Sequence, residues 1–394
     1  MVLEHLMNCP EFLITRLGLV LAAMGAPLLN AKSYVHEIEV KAVPGVIKDV
    51  LLPPGAGNPR NSEGDFIELK DGRVLFIYTH FTGDGGDHGT AHLAQRISTD
   101  GGLTWTDDDE VVVPNEGGFN VMSVSLLRLQ SGDIALFYMV KNSLEDCRPV
   151  MRVSRDEAVT WSEPIGIIPD EDIGYHVLNN DRMVQLADGR LICPVALHNR
   201  PSYAEPDWSG VLICYFSDDS GQTWRRSTSA LKCSHPDGTR ILLQEPGVVE
   251  LQDGRLLMWA RTDEGYQYQS WSSDGSDTWT QPTASEIRSP RSPASIERLP
   301  GRDELMMVWN DHAQFPLDNE AGRTPLAVAF SRDDGVTWQA SRLLEDDPRG
   351  WYCYTAIDFV GDRVLLGHCA GDRSKGGLTV TQITSFTLDW LLAR

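Results

Sequence analysis

Short apolar runs flank a tight turn at regular places along the chain. They read LKDGRVLF (Asp71, Gly72), LQSGDIALF (Ser131, Gly132), LADGRLICP (Asp188, Gly189) and LQDGRLLMW (Asp253, Gly254). Looser copies follow at LPGRDELMMVW, near Gly301, and FVGDRVLLG, around Gly361 and Asp362. Asp-Gly between apolar runs predicts a β-hairpin, because glycine takes the positive φ that a two-residue turn needs. Six such hairpins are predicted over residues 60–390.

A second repeat runs out of phase with the first. Ser-x-Asp-x-Gly-x-Thr-Trp occurs at Ser98–Trp105, Ser217–Trp224 and Ser331–Trp338. Degenerate copies stand at Ser154–Trp161 and Ser272–Trp279, where Ala158 and Ser276 replace the glycine. Each copy predicts a turn whose Ser and Asp side chains bond the backbone and whose Trp packs between sheets. Each unit then reads strand, turn, strand, loop, strand, octapeptide turn, strand. Four antiparallel strands in roughly 55–65 residues is the size of a propeller blade. The predicted fold class is all-β, a six-bladed β-propeller forming one domain over residues 32–394. The last unit lacks an octapeptide, and the alternating segment His36–Ala42 is expected to supply its missing strand and close the ring.

Residues Leu17–Ala31 form a separate apolar run ending in small residues. It reads either as the core of a secretory signal, implying a secreted or periplasmic protein, or as a packed N-terminal helix compatible with the cytoplasm. It is too short for a comfortable membrane span.

Charge narrows the partners. With 34 Lys+Arg against 56 Asp+Glu the formal net charge is −22, which repels nucleic acid and anionic membranes. An anionic substrate must therefore be captured by a local arginine cluster. The seven cysteines include no CxxC pair and the histidines show no metal spacing, so neither a metal nor a cofactor is expected.

The octapeptide resembles the Asp-box, or BNR, repeat of bacterial sialidases, whose boxes lie on the outer blade edges away from the site. The resemblance covers most of the chain and implies an exo-α-sialidase acting on a sialylated glycan. Its substrate carries a carboxylate on the reacting carbon. Arginines would hold that group bidentately, and a neutral tyrosine would serve better than a carboxylate nucleophile, with a glutamate drawing off its proton. An aspartate would protonate the leaving oxygen.

Carried onto this sequence, the resemblance implies Glu245 as base and Arg261 as clamp in LLQEPGVVELQDGRLLMWAR. It implies Arg323, eight residues before Ser331, as a second arginine. In WYCYTAIDF it implies Tyr354 as nucleophile with Tyr352 as rival, since strand parity places both on one face. Arg60 stands where the family carries Arg-Ile-Pro, although here the Ile-Pro is absent. Asp87 in HFTGDGGDHGTAHL is the implied acid, with Asp84 the alternative, and partial burial is expected to raise its pKa. Beside Arg60, Glu63 reads as ligand contact or turn charge and Asp65 as a solvated turn charge. Asn180 and Arg182 enter the third unit where Glu245 enters the fourth, so they are expected to face the funnel and read substrate groups. Two alternatives accompany this reading: a glycosidase for another 2-keto-sugar acid such as KDN or Kdo, and a non-catalytic carbohydrate-binding propeller.

Overall fold

The computed structural model describes residues 38–314 and 322–393. Residues 1–31 and His36 therefore lie outside the described part, and with them the predicted signal or helix.

The chain is built almost wholly of antiparallel strands. The first sheet runs in order through Arg60–Glu68, Val74–Phe81, Ala91–Ser98 and Glu110–Val113. Two further four-stranded sheets repeat this meander, from Gln244–Glu250 to Thr283–Arg288 and from Ser295–Arg298 to Gln339–Glu345. Between them lies a nine-stranded sheet made of two meanders, one starting at Asn120–Arg128 and the other containing Leu191–Asn199. A single parallel pairing, Tyr175 opposite Cys147, joins the two. All six predicted hairpins are present.

The last sheet takes Gly350–Val360, Arg363–Asp372 and Thr381–Thr387, and its fourth strand comes from near the start of the described chain. That strand is Ile47–Leu52, paired antiparallel with Thr381–Thr387, and the expected segment ending at Ala42 is not the one used. Residues 38–43 carry no strand. Ile47–Leu52 was hidden because it is an edge strand buried fully only at Leu52, so its sequence has no reason to alternate.

Buried apolar residues gather into six clusters, each shared by consecutive meanders. One of them packs Phe66, Phe76 and Tyr78 of the first sheet against Ala356, Leu365 and Ile383 of the last. The sheets thus bury both faces, which is why their middle strands read as continuous apolar runs.

The five octapeptides fold alike. In the first, Ser98 Oγ donates to Asp100 Oδ1 at 2.8 Å, while Asp100 accepts from the Thr104 amide at 2.9 Å and its hydroxyl at 2.6 Å. The same bonds recur around Asp156, Asp219, Asp274 and Asp333. Trp279 is fully packed, whereas Trp105, Trp161, Trp224 and Trp338 are half-buried caps on their clusters.

Candidate active site

The site is assembled by a repeated irregularity of the backbone. The first strands of four meanders break register, between Ser62 and Asp65, Met122 and Ser125, Gln244 and Gly247, and Cys353 and Ala356. Inside each break a non-glycine residue adopts positive φ: Glu63 at 55°, Ser123 at 62°, Glu245 at 50° and Tyr354 at 56°. Asp181, at 54°, is the counterpart in the remaining half of the nine-stranded sheet. Left-handed φ costs a non-glycine residue on the order of 1–3 kcal/mol. A bulge re-aims the side chain it carries. Glu63, Ser123, Glu245 and Tyr354 all line one cavity of about 220 Å³.

Polar groups freed by the bulges find partners in neighbouring strands. The Leu126 amide donates to Asp65, the Arg182 amide to Ser125 Oγ and the Ile357 amide to Asp181. Asp65 is therefore a buried acceptor that stitches two sheets together, and the solvated turn charge expected for it is corrected. Asn180 Nδ2 donates to the carbonyls of Gly64 and Tyr354, holding two bulges at once.

The reactive geometry centres on Tyr354. Its hydroxyl donates to Glu245 Oε1 at 3.1 Å, and the other carboxylate oxygen of Glu245 is ion-paired to Arg261 Nη1 at 2.9 Å. Gln244 Oε1 accepts from Arg261 Nε at 3.1 Å and also from Nη2, fixing the plane of the guanidinium. The Arg323 guanidinium lies 5.2 Å from the centroid of the Tyr354 ring and 5.1 Å from that of Trp351. Arg323 is buried, yet its Nε and Nη1 have no hydrogen-bond partner among the described residues. Burial, then the Glu245 carboxylate, push the Tyr354 phenol up, while Arg323 and Arg261 pull against them.

Asp87 comes from the glycine-rich loop after Val74–Phe81 and reaches the same cavity. It also lines an adjoining cavity of about 390 Å³ with Arg261, Arg323 and Tyr354. Its loop is pinned from the next sheet, where Asn120 Nδ2 and Lys141 Nζ donate to the Asp87 carbonyl at 3.0 and 2.8 Å. Asp84 instead accepts from the Gly86 amide and lines neither cavity. Arg60 Nη1 grips the Asp87 carboxylate at 2.6 Å. Burial acts to raise the Asp87 pKa, but Arg60, with Lys141 and His88, outweighs it and holds the carboxyl below its usual range. That reverses the raised pKa expected from the sequence.

Four predicted contacts do not line these cavities, and the first, Arg60, stands behind the Asp87 carboxylate that it holds. Tyr352 packs in the apolar cluster beneath the last sheet; the left-handed residue at 354 breaks the parity that would have put both tyrosines on one face. Arg182 is buried against Ser295 Oγ and the Ala294 carbonyl, where it ties two sheets together. Asn180 supports the bulges and does not line the cavity. Conversely, Glu63, Lys141, Tyr175 and Trp208 line the cavity without having been assigned to it. Glu63 was findable: it precedes Asp71 by eight residues, as Glu245 precedes Asp253. Lys141, Tyr175 and Trp208 carried no such signal.

Comparison with known proteins bears on the family and the fold. Residues 81–365 match the family model described as a BNR repeat-like domain. A sialidase of Micromonospora viridifaciens is 25% identical over 330 residues, covering 75% of this chain and 46% of its own length. A sialidase of Bacteroides fragilis is 27% identical over 217 residues, covering 53% of this chain and 37% of its own. The chain thus spans less than half the length of these relatives. Among solved structures, the Trypanosoma rangeli sialidase in complex with the inhibitor DANA superposes with a TM-score of 0.69 at 14% identity, covering 89% of this chain and 61% of that one. A protein of unknown function from Dyadobacter fermentans gives 0.67 at 17% identity, covering 88% of this chain and 100% of that one. By its repeats and its matching family model, this chain belongs to the BNR repeat-like family, within the superfamily of the bacterial sialidases.

Proposed function

We propose that this protein is a retaining exo-α-sialidase on a six-bladed β-propeller, with the nine-stranded sheet counted as two blades. The blade count is supported by the six shared core clusters, the last of which couples the first and last sheets. The observation that carries the activity is the Tyr354–Glu245 hydrogen bond of 3.1 Å flanked by Arg261 and Arg323. A binding module would need the arginines but has no use for a phenol coupled to a base.

In this reading Arg261 and Arg323 take the sugar carboxylate, with Arg60 behind them. Glu245 accepts the phenol proton as Tyr354 Oη attacks the anomeric carbon, and Asp87 gives a proton to the departing aglycone oxygen. Breaking the glycosidic bond leaves a glycosyl–Tyr354 adduct. Asp87, now ionised, takes a proton from water, whose oxygen attacks the anomeric carbon while the phenolate leaves and recovers its proton from Glu245. Asp87 must be protonated to begin. A substrate carboxylate competing for Arg60 would weaken the grip that keeps it ionised.

Hydrolysis of a fluorogenic α-sialoside, with KDN and Kdo glycosides and neutral glycosides in parallel, tests this. The expected result is turnover of a 2-keto-sugar acid, sialoside first. Activity confined to neutral glycosides would contradict it. Export through Leu17–Ala31 is proposed alongside, and N-terminal sequencing of the mature protein would decide it.

A further inference from the structure

The cavity holds one carboxyl for which the proposed reaction has no use. Glu63 is 6% exposed and stands at the bulge of its strand, as Glu245 and Tyr354 stand at theirs. Its Oε2 lies 3.3 Å from Arg60 Nη2 and 3.4 Å from Ser62 Oγ. The other edges of Arg60 are also occupied: Nη1 donates to Asp87 Oδ1 at 2.6 Å and Nε to Ser62 Oγ at 2.9 Å. Arg60 does not itself line the cavity, whereas Glu63 and Asp87 do. The third arginine of the clamp is covered by resident carboxylates.

We propose that Glu63 gates Arg60, so that an anionic sugar binds only to the form of the protein in which Glu63 is a neutral carboxylic acid. The inference rests on the sialidase reading, since it assumes that a sugar carboxylate enters. For that carboxylate to reach Arg60, Glu63 must release Nη2. An ionised Glu63 would then be a buried charge stripped of its partner, beside a second anion, which is strongly unfavourable. A neutral Glu63 can release Arg60 and turn its O–H toward the incoming carboxylate, becoming a donor where it had been a competitor.

The groups facing Glu63 set where this switch lies. Arg60 and Lys141 are positive, Asp87 and Glu245 negative, and the Cys369 thiol and Tyr175 phenol complete the surroundings. Burial pushes the carboxyl up to about 7, with Arg60 opposing it, Asp87 adding to the rise and Lys141 subtracting. Affinity should therefore be level below about pH 7 and fall as pH rises above it. One proton required for binding gives about tenfold weaker affinity per pH unit. Asp87 starts below the ordinary carboxylate range, and losing Arg60 to the sugar only returns it toward that range, which lies well below this window.

The test is titration calorimetry of N-acetylneuraminic acid with the full chain, in wild-type, Glu63→Gln and Glu63→Asn forms, at pH 6, 7, 8 and 9. Asn is included because it tolerates left-handed φ. The wild type should weaken about tenfold per unit above pH 7 and take up close to one proton on binding at pH 8, read from the dependence of the heat on buffer ionisation. Both variants should show a flat profile, no such uptake, and about tenfold tighter binding than wild type at pH 8. A flat wild-type profile, or variants that keep the limb, would overturn the gate and leave the sialidase reading standing. Absence of binding by all three proteins at every pH would overturn both.

Discussion

A phenol ordinarily keeps its proton until about pH 10, and burial beside Glu245 moves Tyr354 further from ionising. It can act as a nucleophile only if its proton leaves as it attacks, so the proposed reaction depends on the 3.1 Å bond to Glu245. Tyr354→Phe keeps the ring over which Arg323 sits and removes only the oxygen. It should retain the fold and lower kcat/KM by roughly 10³-fold or more, measured with a fluorogenic sialoside. Asp87→Ala should be nearly as damaging on a poor leaving group and much less so on an activated phenol that departs without a proton. Equal losses on both would remove Asp87 from the acid's role. The resemblance to the sialidases implied Tyr354, Glu245, Arg261 and Arg323 from their places in the repeats, and the structure brings these four side chains together. Glu63 was left open in the sequence between turn charge and ligand contact, although its eight-residue spacing to Asp71 matches that of Glu245 to Asp253.

At the scale of elements, the bulge is the device that the alternating pattern conceals. Parity along WYCYTAIDF places Tyr352 and Tyr354 together, and one left-handed residue separates them. The turns, octapeptides and strands depend on local residue chemistry and could be read. A bulge depends on what the neighbouring sheet offers to its freed amides, such as Asp65 for Leu126, and is invisible along one strand. Gly247 shows how tightly these places are built. A Cβ there would run into the ring of Trp259, which is itself fixed by a 2.9 Å bond from Nε1 to the Ala294 carbonyl. Gly247→Ala should cost about 1–3 kcal/mol of stability by overpacking. It should also impair turnover by shifting the bulge that presents Glu245. Denaturant unfolding with parallel kinetics would check both, and an unchanged midpoint would contradict the packing argument.

Across the whole molecule, one end of the sheets gathers four carboxyls around a common cavity, Asp65 buried and Asp181, Glu297 and Asp358 half-buried. Burial pushes Asp358 up to about 7, with the amide of Phe359 pulling it down and Glu68 adding to the rise. A folded-state pKa above the unfolded one means that the folded protein holds a proton the unfolded chain has lost. The penalty therefore grows from about pH 4 to about pH 7 and then levels off. Asp358→Asn should raise Tm by several degrees relative to wild type at pH 8 and by little at pH 4. The histidines that oppose this trend, His176 and His368, are driven down to about 4 by burial, and they cancel in the comparison because both proteins contain them. A difference in Tm that does not change with pH would contradict the assignment. The antiparallel sheets were legible from the repeats, apart from the strand that completes the last of them, which lies at an edge and carries no alternation.

The claim on which the account turns is double displacement through Tyr354 of a sugar held by its carboxylate. Proton NMR of the first sugar released from an aryl α-sialoside addresses it directly, before the free acid equilibrates. The account predicts that the α-anomer appears first and decays to the β-anomer. Release of the β-anomer first would mean a single displacement by water, and Tyr354 would not be the nucleophile.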